Sequence, residues 1–429
     1  MRAFDHLNLG SGGSHLKVYR VDDMVALRPF EASNKTSVIF LEKGKSTTYP
    51  VPYILWSKKK KSEYLSSELD IQFVLNVTNQ ELKLARPIKL QTSAWQTISE
   101  NQAPGLDKLK GQSIYKAHSG VAVDPYGVYL VRQIGIPAGK TILITNASDL
   151  GKTKVNSTIS QIETDLLYPA VRGKDIARWK YHTEIFVLIT NKSPRKEDQI
   201  SEKEMRRRYP NAYEYLQSFK SPLLKRGKLW AFYGKDTDLK EIPSDLNGKY
   251  YQRKRTTSAK SGVPVVQVID VPFYAMRDIG SYSFADYKVV WQMGASEIKA
   301  AVIEPENTTF GVRPVLPCTG TVSYVACQSH EEAFYICACP NSKLANLFFC
   351  SFSSAGRGLG APSILKQIKL HRFSPSNPMH QELADLAAKC HSSVSCNQLD
   401  NVMELEKKID LVTASLWGVN ESELNTLLG

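Results

Sequence analysis

The sequence predicts a mixed α+β protein. Short β-branched and aromatic runs, bounded by turn residues, recur from residue 16 to residue 338. Two stretches near the end repeat their apolar residues at helical spacing instead. With 42% hydrophobic and 23% charged residues the chain is ordinary for a globular protein, which excludes wholesale disorder. At roughly 150 residues per domain, 429 residues suggest two or three domains.

Residues 16–56 read as strands, most clearly in LKVYRV and TSVIFLEKG. Residues 58–61 are four lysines, a solvated turn or helix start. Residues 62–82 carry a helix-like spacing of Tyr64, Leu65, Leu69, Phe73 and Val74. Residues 91–104 look like a linker. Strand signals return over 105–160, in GVAVDPYGVYLVRQI and GKTILITNAS, and again in EIFVLIT at 184–190. Residues 200–227 read as helix, with Pro210 at a break or a new start. Strands follow over 263–338, including VPVVQVIDV, YKVVWQM, TVSYVACQ and AFYICAC. A helix begins at Asn341-Ser342. Residues 378–395 and 400–428 form two amphipathic helices, and Asn420-Glu421-Ser422-Glu423 is a start signal for a last short one. Leu405, Ile409, Leu411, Val412 and Leu416 mark a buried face.

No run of about 18 apolar residues is present, so no membrane span is expected. The first residues lack the apolar stretch of a secretory signal. Seven cysteines are an odd number and too few for a disulfide scaffold. They read as reduced thiols of a cytoplasmic protein.

Lys and Arg exceed Asp and Glu by 13, which favours a polyanionic partner. The excess sits mid-chain. Residues 192–260 hold 18 basic and 9 acidic residues, whereas 376–429 hold 3 and 8. The basic block includes Arg206-Arg207-Arg208, Lys225-Arg226-Gly227-Lys228 and Arg253-Lys254-Arg255. Tyr209, Tyr213, Tyr215, Trp230, Phe232, Tyr233, Tyr250 and Tyr251 are interleaved. Cations can neutralise phosphates and aromatic faces can stack on bases. The same pattern also describes a solvated surface over a core of aromatics. The acidic tail would repel DNA, so it packs on the protein or meets a partner subunit.

Several candidate motifs read better as structure. The glycines in Leu9-Gly10-Ser11-Gly12-Gly13-Ser14 lack the preceding strand that a nucleotide loop needs. Cys318, Cys327, Cys337, Cys339 and Cys350 fall within 33 residues but without paired knuckles. They read as core cysteines, with Cys337 and Cys339 on one side of a strand. Asp124-Pro125-Tyr126 resembles the [DNS]-P-P-[YFW] motif of amino-group DNA methyltransferases, but lacks one proline, and reads as a turn. No hydrolase, zincin or Walker signature is present.

Several strings together resemble one family. They are Pro29-Phe30-Glu31, Asn34-Lys35-Thr36-Ser37, and Thr48-Tyr49-Pro50-Val51-Pro52-Tyr53 with Trp56. Next come Leu167-Tyr168-Pro169, Arg172-Gly173-Lys174-Asp175-Ile176 and Arg178-Trp179. Phe284-Ala285-Asp286-Tyr287-Lys288-Val289-Val290-Trp291 follows. Then come Asn341-Ser342, LGAPSILKQIKL, Phe373-Ser374-Pro375-Ser376-Asn377-Pro378 and the tail strings HQELADLAAKCH and EKKIDLVTASLWGVNESEL. In this order they resemble the C-terminal part of restriction–modification adenine-N6 DNA methyltransferases with a TaqI-like specificity domain.

That resemblance implies three parts. Residues 1–100 would be the end of a methyltransferase sheet, 101–375 a target-recognition domain of mixed strands and helices, and 376–429 a helical tail. It implies sequence-specific binding of double-stranded DNA. The family's cofactor and N-P-P-[YF] motifs precede the matching region, so the chain reads as truncated or as half of a split enzyme. No catalytic, cofactor-binding or metal residue is assigned. S-adenosylmethionine is implied only for the missing half, which a separate catalytic chain could supply. Activity through degenerate motifs and a non-catalytic protein-docking role are the alternatives.

A base-modifying enzyme must extrude its target and hold the opened duplex. The candidate DNA contacts are Arg172, Lys174, Arg178, Arg206, Arg207, Arg208, Lys228, Arg253, Lys254, Arg255, Lys288, Arg357 and Lys366. Arg172 and Arg178 can equally pair locally, with Asp175 as partner and Trp179 in the core. Arg357 lies in Gly356-Arg357-Gly358-Leu359-Gly360, where glycines permit close approach of backbone to phosphate. Lys180, Lys369, His371 and Arg372 are further basic positions. The resemblance places Phe30 where an aromatic stacks on the flipped adenine, although a core role is equally open.

Overall fold

The computed structural model describes residues 15–27, 36–60, 65, 69–89, 93–191, 199–226, 250–257, 264–352 and 359–429. The architecture is α+β, with three larger sheets and helices packed against them.

The first sheet has five strands in the order Ser37–Lys43, Leu16–Asp23, Val51–Lys58, Thr78–Pro87, Trp95–Ile98. Leu16–Asp23 pairs antiparallel with Ser37–Lys43 and parallel with Val51–Lys58. Val18, Val21, Val51, Ala85 and Trp95 form its small core. Two expectations fail here. The helix over 62–82 is only Ile71–Val77 among the described residues, after which Thr78 opens a strand. The described part of the expected linker 91–104, residues 93–104, is structured instead: Trp95 is buried, and its indole donates to the Tyr49 hydroxyl at 3.1 Å. A tryptophan in a polar stretch anchors a sheet edge that periodicity does not reveal. Elsewhere the sheet is thinly covered, with Val38 40%, Phe40 45% and Leu82 60% exposed.

The six-stranded sheet runs Leu316–Pro317, Leu167–Val171, Ile185–Leu188, Leu130–Gln133, Thr141–Asn146, Ile159–Glu163. The helices Glu202–Arg208, Pro210–Ser218 and Lys220–Leu224 add Met205, Ala212, Tyr215, Leu216 and Leu223 to its core. Pro210 starts the second of these helices, where its missing N–H costs nothing.

The four-stranded sheet runs Ala300–Ile303, Tyr287–Gln292, Val322–Cys327, Ala117–Ser119. Against it lies the helix His330–Asn341. The strand expected at AFYICAC is therefore helical. Nine of that helix's twelve residues are buried, so its apolar run is continuous and hides the 3.6-residue period. Its start signal is clear in retrospect. The Ser329 hydroxyl accepts from Glu332 N at 3.2 Å, with Glu331 and Glu332 in the first turn. Cys337 and Cys339 thus sit in a helix, both buried and without disulfides.

The tail helices are Pro378–Ser395, Leu399–Leu416 and Glu421–Leu428. The last has the full capping box, Asn420 with Glu423, each accepting at 2.9 Å. One core joins Val289 and Trp291 of the four-stranded sheet to Leu405, Ile409 and Leu427 of the tail. The acidic tail therefore packs on its own chain.

Candidate nucleic-acid interface

The sequence-predicted cations separate into buried clamps and displayed charges. Arg172 is a clamp. Its guanidinium meets both Asp175 oxygens, at 2.6 and 2.8 Å, and its backbone N–H donates to the same carboxylate. It is buried, and two of its three guanidinium nitrogens are spent on this fork. Lys174 beside it is exposed.

Arg178 is a second clamp. It donates to Glu297 at 3.0 Å, to Glu406 at 3.3 Å and to the Asn341 carbonyl at 3.2 Å. The neighbouring Trp179 is buried in a left-handed turn, φ 63°. Its indole donates to Glu406 at 2.7 Å, and its backbone N–H to Ala300 at 3.0 Å. The Arg178-Trp179 pair thus fastens the tail helix Leu399–Leu416. Its geometry favours the local-pairing alternative over a base contact.

Lys288 corrects a third expectation. It is wholly buried, and its ammonium donates to the Ala285 carbonyl and, at 2.8 Å, to the Val315 carbonyl. No phosphate reaches it. Burial pushes its pKa down to about 7, against a smaller opposing pull from Asp286. A lysine inside an otherwise apolar strand carries no sequence signal that separates it from a surface lysine.

Asn341-Ser342 stands at a helix start, as the sequence predicts. The Asn341 side chain bonds both Ala300 N (2.8 Å) and Ala300 O (3.0 Å), extending the sheet edge. Ser342 caps the next helix, Lys343–Cys350.

The displayed charges centre on Glu202–Arg208. Ser201 caps this helix, and Glu202 and Glu204 occupy its first turn. Arg206, Arg207 and Arg208 fill its last turn, which suits the helix dipole as well as a polyanion. All three are exposed. Arg206 donates to the Tyr213 hydroxyl at 2.7 Å and stacks 4.7 Å from that ring. Arg208 pairs with Glu204 at 3.2 Å and lies 5.3 Å from the Tyr209 ring. Arg207 has no ion pair among the described residues. Buried Met205 anchors the helix. The helix after it, Pro210–Ser218, is pinned to the sheet by Glu163, which accepts from Asn211 N at 3.0 Å and Ala212 N at 2.9 Å. The arginines are therefore presented from a rigid corner.

Lys366, Lys369 and Arg372 are exposed along one stretch, while the His371 and Lys369 carbonyls are used by Tyr335 and Trp417. Arg253, Lys254 and Arg255 lie on a two-stranded antiparallel ribbon, Tyr250–Thr257 with Pro264–Val271. Phe30, Lys228 and Arg357 lie outside the described residues, as does the glycine loop at 9–14. Among the described residues no three His, Cys, Asp or Glu side chains are grouped to hold a metal, and no helix is long and apolar enough to cross a membrane. Asp124-Pro125 is a cis peptide leading into a short helix at Tyr126.

No family model and no curated protein matches this sequence. Among solved structures, one similar to it is the type IIG restriction endonuclease BpuSI. The alignment covers 93% of this chain and 44% of that one, with a TM-score of 0.31 and 13% identity. The chain thus spans less than half the length of that endonuclease.

Proposed function

We propose that this chain binds duplex DNA as the specificity portion of an adenine-N6 DNA methyltransferase of a restriction–modification system. The observation that carries DNA binding is the corner at Arg206, Arg207 and Arg208. Three exposed guanidiniums stand on a firmly held helix end, two of them beside tyrosine rings. Such groups neutralise phosphates and position a duplex, while base contacts supply the selectivity. The adenine-specific role rests on the ordered family strings, and S-adenosylmethionine belongs in this reading to a catalytic partner. Docking of a partner chain has an observation of its own, the exposed Val38, Phe40 and Leu82 on the first sheet.

The test is retention of a randomised duplex pool by the purified chain at several salt concentrations, followed by sequencing. Salt-dependent enrichment of one short motif supports a specificity module. Absence of binding at low salt overturns the proposal.

A further inference from the structure

A groove of about 1090 Å³ opens on the six-stranded sheet, and it takes in Lys225 and Arg226 of the basic block but none of Arg206, Arg207 and Arg208. One wall is the loop 153–158, the other the helical corner 218–226, and cis-Pro125 lies between them. Both walls are fixed from beneath. The buried Asn146 side chain donates to the Asn156 carbonyl at 2.9 Å and accepts from Thr158 N at 2.7 Å, which holds the loop. Gly127 lets that loop pack closely, since a side chain there would meet Val155.

The opposite wall is held by Arg226. Although it lines the groove, its guanidinium is spent on Leu223, Asp124 and Ala275 carbonyls and the Tyr129 hydroxyl, at 2.8 to 3.3 Å, and on the Phe273 carbonyl. It serves as a buried bracket and has no fork left for a ligand. The remaining cations of the groove are Lys154 and Lys225. Both are exposed and neither has an ion pair among the described residues. Around them hydroxyl and amide side chains, including Ser157 and Ser221, alternate with Pro125, Val155, Phe219 and Pro222, and the Ser218 hydroxyl is spent on the Tyr215 carbonyl at 2.6 Å. Asp124 is its single carboxylate.

Unpaired ammonium groups flanked by hydroxyl donors suit phosphate oxygens. The opening lies at the upper end of the roughly 300–1,000 Å³ of small-molecule clefts, and its two ammonium groups stand on opposite walls, Lys154 on the loop and Lys225 on the helical corner. It therefore suits a polymer passing through better than a free anion. We infer that this groove carries the phosphodiester backbone of a nucleic-acid strand, with the Lys154 and Lys225 ammonium groups on its phosphates. This rests on the DNA-binding reading and adds a contact track separate from the arginine corner. Asp124 repels phosphate, which confines the phosphates to the lysine side.

The test uses the full chain, fluorescein-labelled duplex and single-stranded DNA, and anisotropy over a salt series. For K154A/K225A the slope of log affinity against log salt should flatten by about two units. K154R/K225R should keep the wild-type slope, and D124N should bind about two- to three-fold tighter. Both lysines are exposed, and an unchanged melting curve confirms folding. Wild-type binding with an unaltered slope in K154A/K225A overturns the groove and leaves the DNA-binding reading standing. Inorganic pyrophosphate protecting Lys154 and Lys225 from acylation as well as DNA does would also overturn it, in favour of a free-anion site. No binding of either DNA by the wild type overturns both.

Discussion

The Arg178 guanidinium reaches the Glu406 carboxylate at 3.3 Å, across 228 positions of sequence. The same carboxylate accepts the Trp179 indole N–H at 2.7 Å. One glutamate of the acidic tail thus answers both Arg178 and Trp179, and binds tail to body.

Arg178→Ala should therefore lower stability by about 1–3 kcal/mol, because Glu297 and Glu406 lose a charged donor while partly buried. It should leave sequence preference on DNA unchanged. Chemical denaturation and pool selection check the two halves. A double-mutant cycle with Glu406→Gln should show coupling of about 0.5–3 kcal/mol. An altered motif with intact stability would return Arg178 to base reading.

Arg206, Arg207 and Arg208 predict the opposite pattern. Alanine at all three should change stability little, since surface positions usually stay within about 0.5 kcal/mol each. Affinity should fall for all sequences alike, and the salt slope by about one unit per lost phosphate contact. Unchanged binding would remove the corner from the interface.

These two cases show what the sequence makes legible. Helices with caps and an amphipathic face were readable: Pro378–Ser395, the Pro210 restart and the Asn420 cap all lie where their residue types demand. Residues 330–341 were not, because a helix buried on all sides has no polar face to set its period. Charge told how many cations the chain has but not which are spent. Arg226 and Lys288 are bound inside by carbonyl groups that nothing in the sequence marks, whereas the partner of Arg172, Asp175, stands three positions on and is legible as a local alternative. Lys154 stands in a groove whose second wall begins some sixty positions later, so no local pattern could single it out.

The thiols offer a check on burial. Cys350 and Cys396 are exposed and the other five cysteines are buried. A thiol reagent should modify two groups quickly in the native protein and all seven after denaturation. Cys396 should react first, because partial burial pushes the Cys350 thiol pKa up and leaves less thiolate. Fast reaction at Cys337 or Cys339, located by peptide mapping, would show that the helix His330–Asn341 opens readily.

Lys288 gives a pH prediction with a definite sign. Folded, its pKa is pushed down to about 7; unfolded it returns to the ordinary 10.5. Between those values the unfolded chain holds a proton that the folded protein has released. Stability therefore rises with pH across that window. The useful range ends near pH 7.5, because the unfolded forms of the five buried cysteines, with ordinary thiol pKa near 8.5, are by then about a tenth ionised and pull the other way. From pH 7 to about 7.5 the wild type should gain stability in urea. Lys288→Met removes the titrating group while keeping an unbranched apolar stem. It should flatten the rise, even though the Ala285 and Val315 carbonyls lose their donor and its absolute stability shifts. A slope equal to the wild type's would mean that Lys288 keeps its proton in the folded interior, stabilised as an ammonium by those two carbonyls.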